Sequence, residues 1–131
     1  MAGWLRRWLG NRGEQAAERY LAGLGYRILR RGLRTRHGEV DLVALDGRQV
    51  VFVEVKTRLD HDAGHPAEAV DSQKQRKLTT LALEFLKKHR LLDQPARFDI
   101  VAVTWPEDQE NPTIEHLRNA FEAFGKFQMF S

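Results

Sequence analysis

A pair of charged residues interrupts one of the most apolar segments of the chain, VVFVEVKTR at residues 50–58. Five of these nine residues are Val or Phe, which is typical of a central β-strand, yet Glu54 and Lys56 lie among them. Asp41 precedes Glu54 by thirteen residues, in the segment GEVDLVALD. Carboxylates are ligands that Mg²⁺ prefers, and an ammonium group beside them adds positive charge. These residues therefore indicate a metal-assisted site for an anionic substrate; the alternative is a solvated strand face with a weak cross-strand ion pair.

Strand alternation decides whether these side chains share a face. Successive side chains of a strand point to opposite faces, so Phe52, Glu54 and Lys56 point the same way. The dipeptide Asp-Gly at 46–47 predicts a hairpin between the two strands. A two-residue loop would pair Asp41 with Phe52, and a four-residue loop would pair it with Glu54. Both lengths place Asp41, Glu54 and Lys56 on one face, whereas an odd loop without a bulge would separate them.

The elements that must position these residues follow from the periodicity of the apolar residues. Helical spacing predicts a first helix over 14–24 and a long second helix over 71–90, and strand-like segments lie between and after them. Strands are predicted at 26–33, 39–45, 49–57 and 98–105, with a short edge strand at 113–117. We expect an arm over 1–12, a single domain over 13–120 and a tail over 121–131. The order αβββαβ plus a short edge strand predicts an α/β fold with a mixed central sheet flanked by helices.

A third carboxylate can join the first two. Glu14 lies near the edge of the apolar stripe formed by Ala17 and Leu21 on the first helix, so it can face the sheet. Carboxylates that converge on a partly buried patch repel one another, and a buried unpaired charge costs roughly several kcal/mol. Raised pKa values would resolve this conflict, and so would a bound divalent cation such as Mg²⁺.

Basic residues cluster in two places on a chain whose formal net charge is only +3. One cluster falls within residues 27–37, and the other opens the second helix at 74–77. Such clusters predict a polyanionic partner, with nucleic acid as the first candidate, or else a solvated basic surface. The residues that we expect to contact phosphates are Lys74, Lys77, Arg34, Arg36 and Arg30. Helical spacing places Lys74 and Lys77 near the sheet edge, where the alternative to phosphate contact is an electrostatic cap on the carboxylates or simple solvation.

Composition limits the class of protein. With 131 residues, of which 42% are hydrophobic and 30% charged, the chain suits one globular domain. The absence of cysteine excludes disulfides and thiolate metal sites and favours a reducing cytosol. No apolar run approaches the roughly 20 residues of a membrane span, and arginines interrupt residues 1–13, so we expect neither a membrane segment nor a signal peptide. A cytoplasmic protein is the resulting expectation.

Other titratable residues are less informative. Asp99 lies within the apolar segment RFDIVAV, where pairing with Arg97 or Arg34 is expected more than metal binding. His61 and His65 fall in a predicted loop and receive no role.

Longer segments of the chain resemble a known family. GEQAAERYLAGLGYRIL, GEVDLVALDG, VVFVEVKTR, HPAEAV followed by KQRKL, and RFDIVAV resemble the YraN family of uncharacterised bacterial proteins, over about residues 11–121. Asp41 followed by Glu54-Val55-Lys56 is similar to the PD-(D/E)xK nuclease signature. The family in turn resembles archaeal Holliday junction resolvases, which implies a restriction-endonuclease-like fold.

The resemblance implies a role for each residue of the motif. Asp41 and Glu54 would bind Mg²⁺ or Mn²⁺, and the backbone carbonyl of Val55 would be a third ligand. Lys56 would position or activate the attacking water and stabilise charge on the phosphate. Glu14 matches an acidic residue of the first helix that lies near the metal in the resolvases.

Two positions depart from the signature: Val40 stands in place of its proline, and Glu39 is an additional carboxylate whose role stays open. The first hypothesis is a Mg²⁺- or Mn²⁺-dependent endonuclease that hydrolyses phosphodiester bonds in structured or branched DNA. The second is a nucleic-acid-binding module of the same fold with little or no activity. A third is an interaction protein that uses Trp4, Trp8 and the phenylalanine-rich tail. Symmetric cleavage of a junction would require a homodimer, whose interface the apolar termini could supply.

Overall fold

The described part of the chain forms a five-stranded β-sheet with an α-helix packed on each face. The computed structural model describes residues 3–59, 64–106 and 111–123. In chain order the elements are α1 (Gly3–Gly23), β1 (Arg27–Thr35), β2 (Gly38–Asp46), β3 (Gln49–Leu59), a 3₁₀-helix (Pro66–Ala69), α2 (Ser72–Lys88), β4 (Ala96–Trp105) and β5 (Thr113–Phe121). None of the helices within these ranges is long and apolar enough to cross a membrane.

The strands lie in the order β1-β2-β3-β4-β5 across the sheet. Neighbouring strands are antiparallel except β3 and β4, which are parallel. A parallel pair needs a long crossover connection, and α2 supplies it. The predicted α/β fold with a mixed central sheet flanked by helices is therefore confirmed, and it is consistent with a restriction-endonuclease-like architecture.

Two elements extend furthest beyond the bounds that the sequence predicted. α1 begins at Gly3 rather than Glu14, so residues 3–12, predicted as a separate arm, are helical and continuous with the rest of α1. The sequence did not predict this extension because Gly10 and Gly13 interrupt it, and each glycine disfavours a helix by about 1 kcal/mol relative to alanine. β5 continues to Phe121, which pairs with β4 beyond a shift in register. The predicted tail from residue 124 onward, with its phenylalanines, lies outside the described residues.

Apolar side chains cover both faces of the sheet, which explains the VVFV run. Phe52 faces α2 and meets Phe85 edge to face, with ring centres 5.7 Å apart. Val53 faces α1 and packs in the same cluster as Leu21. A strand that is buried on both faces favours apolar residues at every position. Glu54, with only 7% of its surface exposed, is therefore an exception that packing does not explain.

The close approach of α1 to the end of β3 depends on Gly13. A Cβ atom built on Gly13 would overlap the hydroxyl oxygen of Thr57, so any other residue would push the helix away. This contact also places Glu14, the next residue, beside the same end of the sheet. Earlier in the helix, Trp4 and Trp8 are 67% and 49% exposed.

The β2–β3 hairpin sets the relation between the two carboxylates. Its turn comprises residues 47–48, with the glycine at a φ of 63°. The register pairs Leu42 with Val53, so Asp41 and Glu54 are the next opposed residues. This is the register that the sequence predicted for a four-residue loop. A two-residue loop produces it because the turn lies one residue later than predicted.

A buried polar network ties the other end of the sheet together on the α1 side. Arg97 donates from Nε to Asp99 at 2.9 Å and from a terminal nitrogen to the hydroxyl of Tyr26 at 2.6 Å. His116 lies 2.7 Å from Asp99, and the backbone N–H of Asn119 donates to Asp99 at 2.9 Å. Burial alone would raise the pKa of Asp99, but its bonds with His116, Arg97 and Asn119 outweigh burial and lower it. The predicted pairing of Asp99 with Arg97 is confirmed.

Candidate active site

The two carboxylates lie where two strands separate. Paired positions of β2 and β3 run from the turn to Leu42 and Val53, whereas β3 continues beside β4 as far as Leu59. The edge of β3 that faces β2 is therefore open beyond Val53. Asp41 fills this edge, because its Oδ2 accepts a hydrogen bond of 2.7 Å from the backbone N–H of Val55. A side-chain carboxylate thus takes the place of a strand carbonyl.

The alternation of side chains along β2 changes at Asp41. Val40 and Val43 both pack on the α2 side, although strict alternation would place them on opposite faces, and Leu42 packs on the α1 side. Gly32, in the facing part of β1, has a φ of 61° at the same level. The backbone therefore turns here, and Asp41 points toward β3 within the sheet. Strand alternation alone did not predict this orientation.

Glu54 is held by the start of α2. The Nζ of Lys74 lies 2.6 Å from Oε2 of Glu54. Lys74 is in the first turn of α2, where the N-cap residue Asp71 accepts a hydrogen bond of 2.8 Å from its backbone N–H. One turn later, Leu78 anchors the helix in the core. The sequence placed Lys74 near the sheet edge, and its contact with Glu54 corresponds to the electrostatic cap that was the alternative to phosphate binding.

The crowded carboxylates perturb one another. Burial raises the pKa of Glu54 to about 7, with a further contribution from the charge of Asp41 and with Lys74 acting in the opposite direction. Burial also raises the pKa of Asp41, although the N–H of Val55 and the charge of Lys74 oppose it. Folding therefore holds two acidic groups together at a point where burial disfavours the charged form of each.

Glu14 belongs to the same electrostatic cluster. Its pKa is raised by burial first and then by the charges of Asp41 and Glu39. α1 thus brings a third acidic side chain toward the opening between β2 and β3. Glu39, whose role the sequence left open, also forms an exposed ion pair with Arg34 at 3.0 Å.

A cleft of about 510 Å³, here called the carboxylate cleft, contains both strand carboxylates. Its lining comprises His37, Gly38, Glu39, Asp41, Glu54, Val55, Asp71, Gln73, Lys74, Lys77 and Leu78. No pattern in the sequence indicated a functional role for Gln73, and Asp71 is recognisable only as a helix N-cap residue. Four residues of this cleft (37–39 and 77) also line a second, larger one.

This second cleft, here called the arginine groove, has a volume of about 660 Å³. Arg34, Arg36 and Lys77, three of the residues predicted to contact phosphate, line it together with Arg76. Arg30 is exposed on β1 and lines neither the groove nor the carboxylate cleft. The two basic clusters of the sequence therefore meet at one opening.

Lys56 follows Glu54 on β3 and is exposed. It lines a third cleft, here called the helix cleft, which has a volume of about 420 Å³ and is formed by Arg6, Leu9, Gly10, Val55, Lys56, Thr57, Arg58 and Leu59. The structure thus brings Lys74 rather than Lys56 into contact with Glu54. His65 caps the 3₁₀-helix by accepting from the N–H of Ala67, and His61 lies outside the described residues.

The donor set suits a hard cation. Within residues 3–59, 64–106 and 111–123, no group of three or more His, Asp or Glu side chains converges tightly enough to hold a metal ion unaided. Mg²⁺, however, commonly takes one or two carboxylates and completes its shell with water and phosphate oxygens. Asp41 and Glu54 meet that requirement.

Comparison with known proteins agrees with the resemblance found in the sequence. The model of the family described as "Uncharacterised protein family UPF0102" matches residues 13–103. The chain is 48% identical over 120 residues to a UPF0102 protein of Rhodopirellula baltica, covering 89% of this chain and 72% of the relative. It is 49% identical over 114 residues to a relative in Geobacter metallireducens (87% and 92% covered) and 50% identical over 114 residues to one in Geobacter sulfurreducens (87% and 88% covered). The chain therefore belongs to the UPF0102 family, as its resemblance to YraN proteins predicted.

Proposed function

We propose that the protein is a Mg²⁺- or Mn²⁺-dependent nuclease that hydrolyses phosphodiester bonds in structured or branched DNA. One observation carries this proposal: the buried carboxylate of Glu54 and the half-buried carboxylate of Asp41 lie together beside Lys74 in a cleft that opens into the arginine groove. A structural ion pair needs one carboxylate, and a second one at the same buried point destabilises the fold unless it serves another purpose.

Asp41 and Glu54 would hold the cation, with the backbone carbonyl of Val55. When bound, Mg²⁺ or Mn²⁺ would lower the pKa of a coordinated water and neutralise negative charge on the phosphate. The raised pKa values of both carboxylates support this assignment, since positive charge between them would relieve their repulsion. Glu14 would add negative charge near the site and orient water there.

Two ammonium groups lie near this point. Lys74 neutralises Glu54 in the structure and would turn to the phosphate when Glu54 is otherwise neutralised. Lys56 follows Glu54 on β3 and corresponds to the lysine of the signature, so it would position the attacking water. The arginine groove would bind neighbouring phosphates, giving affinity without reading base sequence.

A second candidate, a nucleic-acid-binding module without activity, is favoured by one feature. Lys74 already neutralises Glu54 at 2.6 Å, and Lys56 lines the helix cleft rather than the carboxylate cleft. Such an arrangement could bind DNA with no cation present.

The test is cleavage of branched, flapped and single-stranded DNA, and of matched RNA, with Mg²⁺, Mn²⁺ or EDTA. The wild type is compared with Glu54→Gln, Asp41→Asn and Lys56→Ala. Glu115→Gln, an exposed carboxylate on β5, is the matched control. We expect metal-dependent cutting that falls by about 100-fold or more in the two carboxylate variants and stays unchanged in the control.

Each other outcome has a definite meaning. Cutting that survives Glu54→Gln would come from a contaminant or another site and would contradict the proposal. DNA binding without cutting under every metal condition would establish the binding module instead. A larger loss in Lys74→Ala than in Lys56→Ala would assign the phosphate-stabilising role to Lys74.

A further inference from the structure

The helix cleft is basic, and of its lining residues only Lys56 and Val55 have a part in the function proposed above. Arg6, Lys56 and Arg58 contribute three positive charges to its lining, and none of its described lining residues is acidic. It shares no lining residue with the arginine groove. The two basic clefts are therefore separate surfaces.

The carboxylate cleft lies between them. It shares residues 37–39 and 77 with the arginine groove and Val55 with the helix cleft. The backbone N–H of Val55 donates to Asp41, so the junction with the helix cleft lies directly at the carboxylates. Positive charge consequently extends from the site in two directions.

The helix cleft is held open by the local structure. A Cβ atom on Gly10 would meet nothing within 4 Å, whereas Gly13, one turn later, is in tight contact with Thr57. α1 is thus anchored at one turn and leaves space at the preceding one. Arg58 is fixed by donating to Thr104 Oγ1 at 3.0 Å and to the backbone carbonyl of Gly64.

We propose that the helix cleft binds the sugar-phosphate backbone of the nucleic-acid strand that leaves the carboxylate cleft, so that a bound strand is held on both sides of the site. This inference rests on the proposed function and defines its substrate further. The phosphodiester bond that lies at the carboxylates is then an internal bond of a continuous strand. A strand whose end lies at the carboxylates does not reach the helix cleft and loses the interactions with Arg6 and Arg58.

A charge series at Gly10 tests the proposal. Glu54→Gln protein, which should bind without cutting, carries in addition Gly10→Glu, Gly10→Gln or Gly10→Arg. All three replacements favour the helix over glycine to a similar extent, so stability cannot explain a difference between them. The same series at Gly23, another α1 glycine with open space around its Cβ position, is the control.

Binding of a fluorescein-labelled single strand is measured by anisotropy at several salt concentrations. We expect affinity at low salt to fall by about tenfold from the Gln to the Glu variant at Gly10 and to rise in the Arg variant. The slope of log K against log salt should change by about 0.7 for each phosphate contact that the variant gains or loses. The series at Gly23 should stay within about twofold.

The proposal would be overturned if the three Gly10 variants bind the strand with affinities within about twofold of one another. It would also be overturned if the affinities of the Gly23 variants change as much as those of the Gly10 variants. Absence of binding by all variants would overturn both proposals. If the Gly10 series responds but the wild type never cuts DNA, the nuclease assignment fails, and the helix cleft remains as part of a binding module.

Discussion

Replacing Glu54 by glutamine should raise the free energy of unfolding near neutral pH and reduce its dependence on pH. Glu54 is buried beside Asp41, and its pKa is raised from the ordinary value of 4.5 to about 7. The folded protein therefore binds a proton at Glu54 more tightly than the unfolded chain does. Between these two values the folded state carries more protons, so its free energy of unfolding falls as the pH rises. Glutamine has a similar shape but does not ionise.

The size of the effect follows from the pKa difference. Each pH unit between 4.5 and about 7 contributes about 1.4 kcal/mol, so about 2.5 units amount to about 3 kcal/mol. This contribution is fully present below about pH 4.5 and is lost once the pH has passed about 7. Asp41 and Glu14 titrate in both proteins, so the comparison of wild type with Glu54→Gln isolates Glu54 to a first approximation. The loss of the contact with Lys74 in the variant opposes the gain only where Glu54 is ionised.

Urea unfolding followed by tryptophan fluorescence, between about pH 5 and about pH 8, measures the difference. Relative to wild type, Glu54→Gln should gain about 2–3 kcal/mol in free energy of unfolding across this range, and Glu115→Gln should gain none. Adding Mg²⁺ at the upper pH should stabilise the wild type and not Glu54→Gln, since a ligand of the folded state stabilises it by mass action. A constant difference between wild type and Glu54→Gln across the range would refute the assignment of a raised pKa to Glu54.

Three further predictions concern other parts of the molecule. Asp99→Asn should lower the free energy of unfolding by about 3–5 kcal/mol in urea titrations, because it breaks a buried ion pair with Arg97; a loss below about 1 kcal/mol would contradict the importance of the network. Gly13→Ala should destabilise by about 1–3 kcal/mol despite its higher helix propensity, since the added methyl group overlaps Thr57; thermal unfolding that shows a gain would disprove the close contact. Lys74→Met should raise the pKa of Glu54 further, as measured by carbon-detected NMR titration, and an unchanged or lower pKa would exclude their ion pair.

The fold could be predicted from the sequence because the signals for it are local. The period-2 and helical patterns, the Asp-Gly turn and the unbroken apolar strands predicted the element order, and the parallel pair followed from the length of the crossover. The start of α1 was predicted too late because glycine is read as a helix breaker, whereas Gly13 is required by a contact with Thr57 that is distant in sequence.

For the candidate site, the sequence indicated which residues to consider but not how they are arranged. Asp41 and Glu54 could be paired from hairpin register, but the turn of the backbone that points Asp41 into the sheet lies opposite Gly32 of β1, on the other side of β2. The contact of Lys74 with Glu54 joins α2 to β3, and no periodicity within either element encodes it. Contacts between elements depend on how closely they pack, which a single sequence does not specify.

The polar network around Asp99 also constrains when the protein can finish folding during synthesis. It joins Tyr26 near the beginning of the chain to His116 and Asn119 near its end, so a nascent chain that has emerged only through β4 carries Asp99 without its partners from β5. Long-range contacts of this kind form late, because the loop between them must close first. The ribosome must therefore release β5 before the α1 side of the sheet is complete.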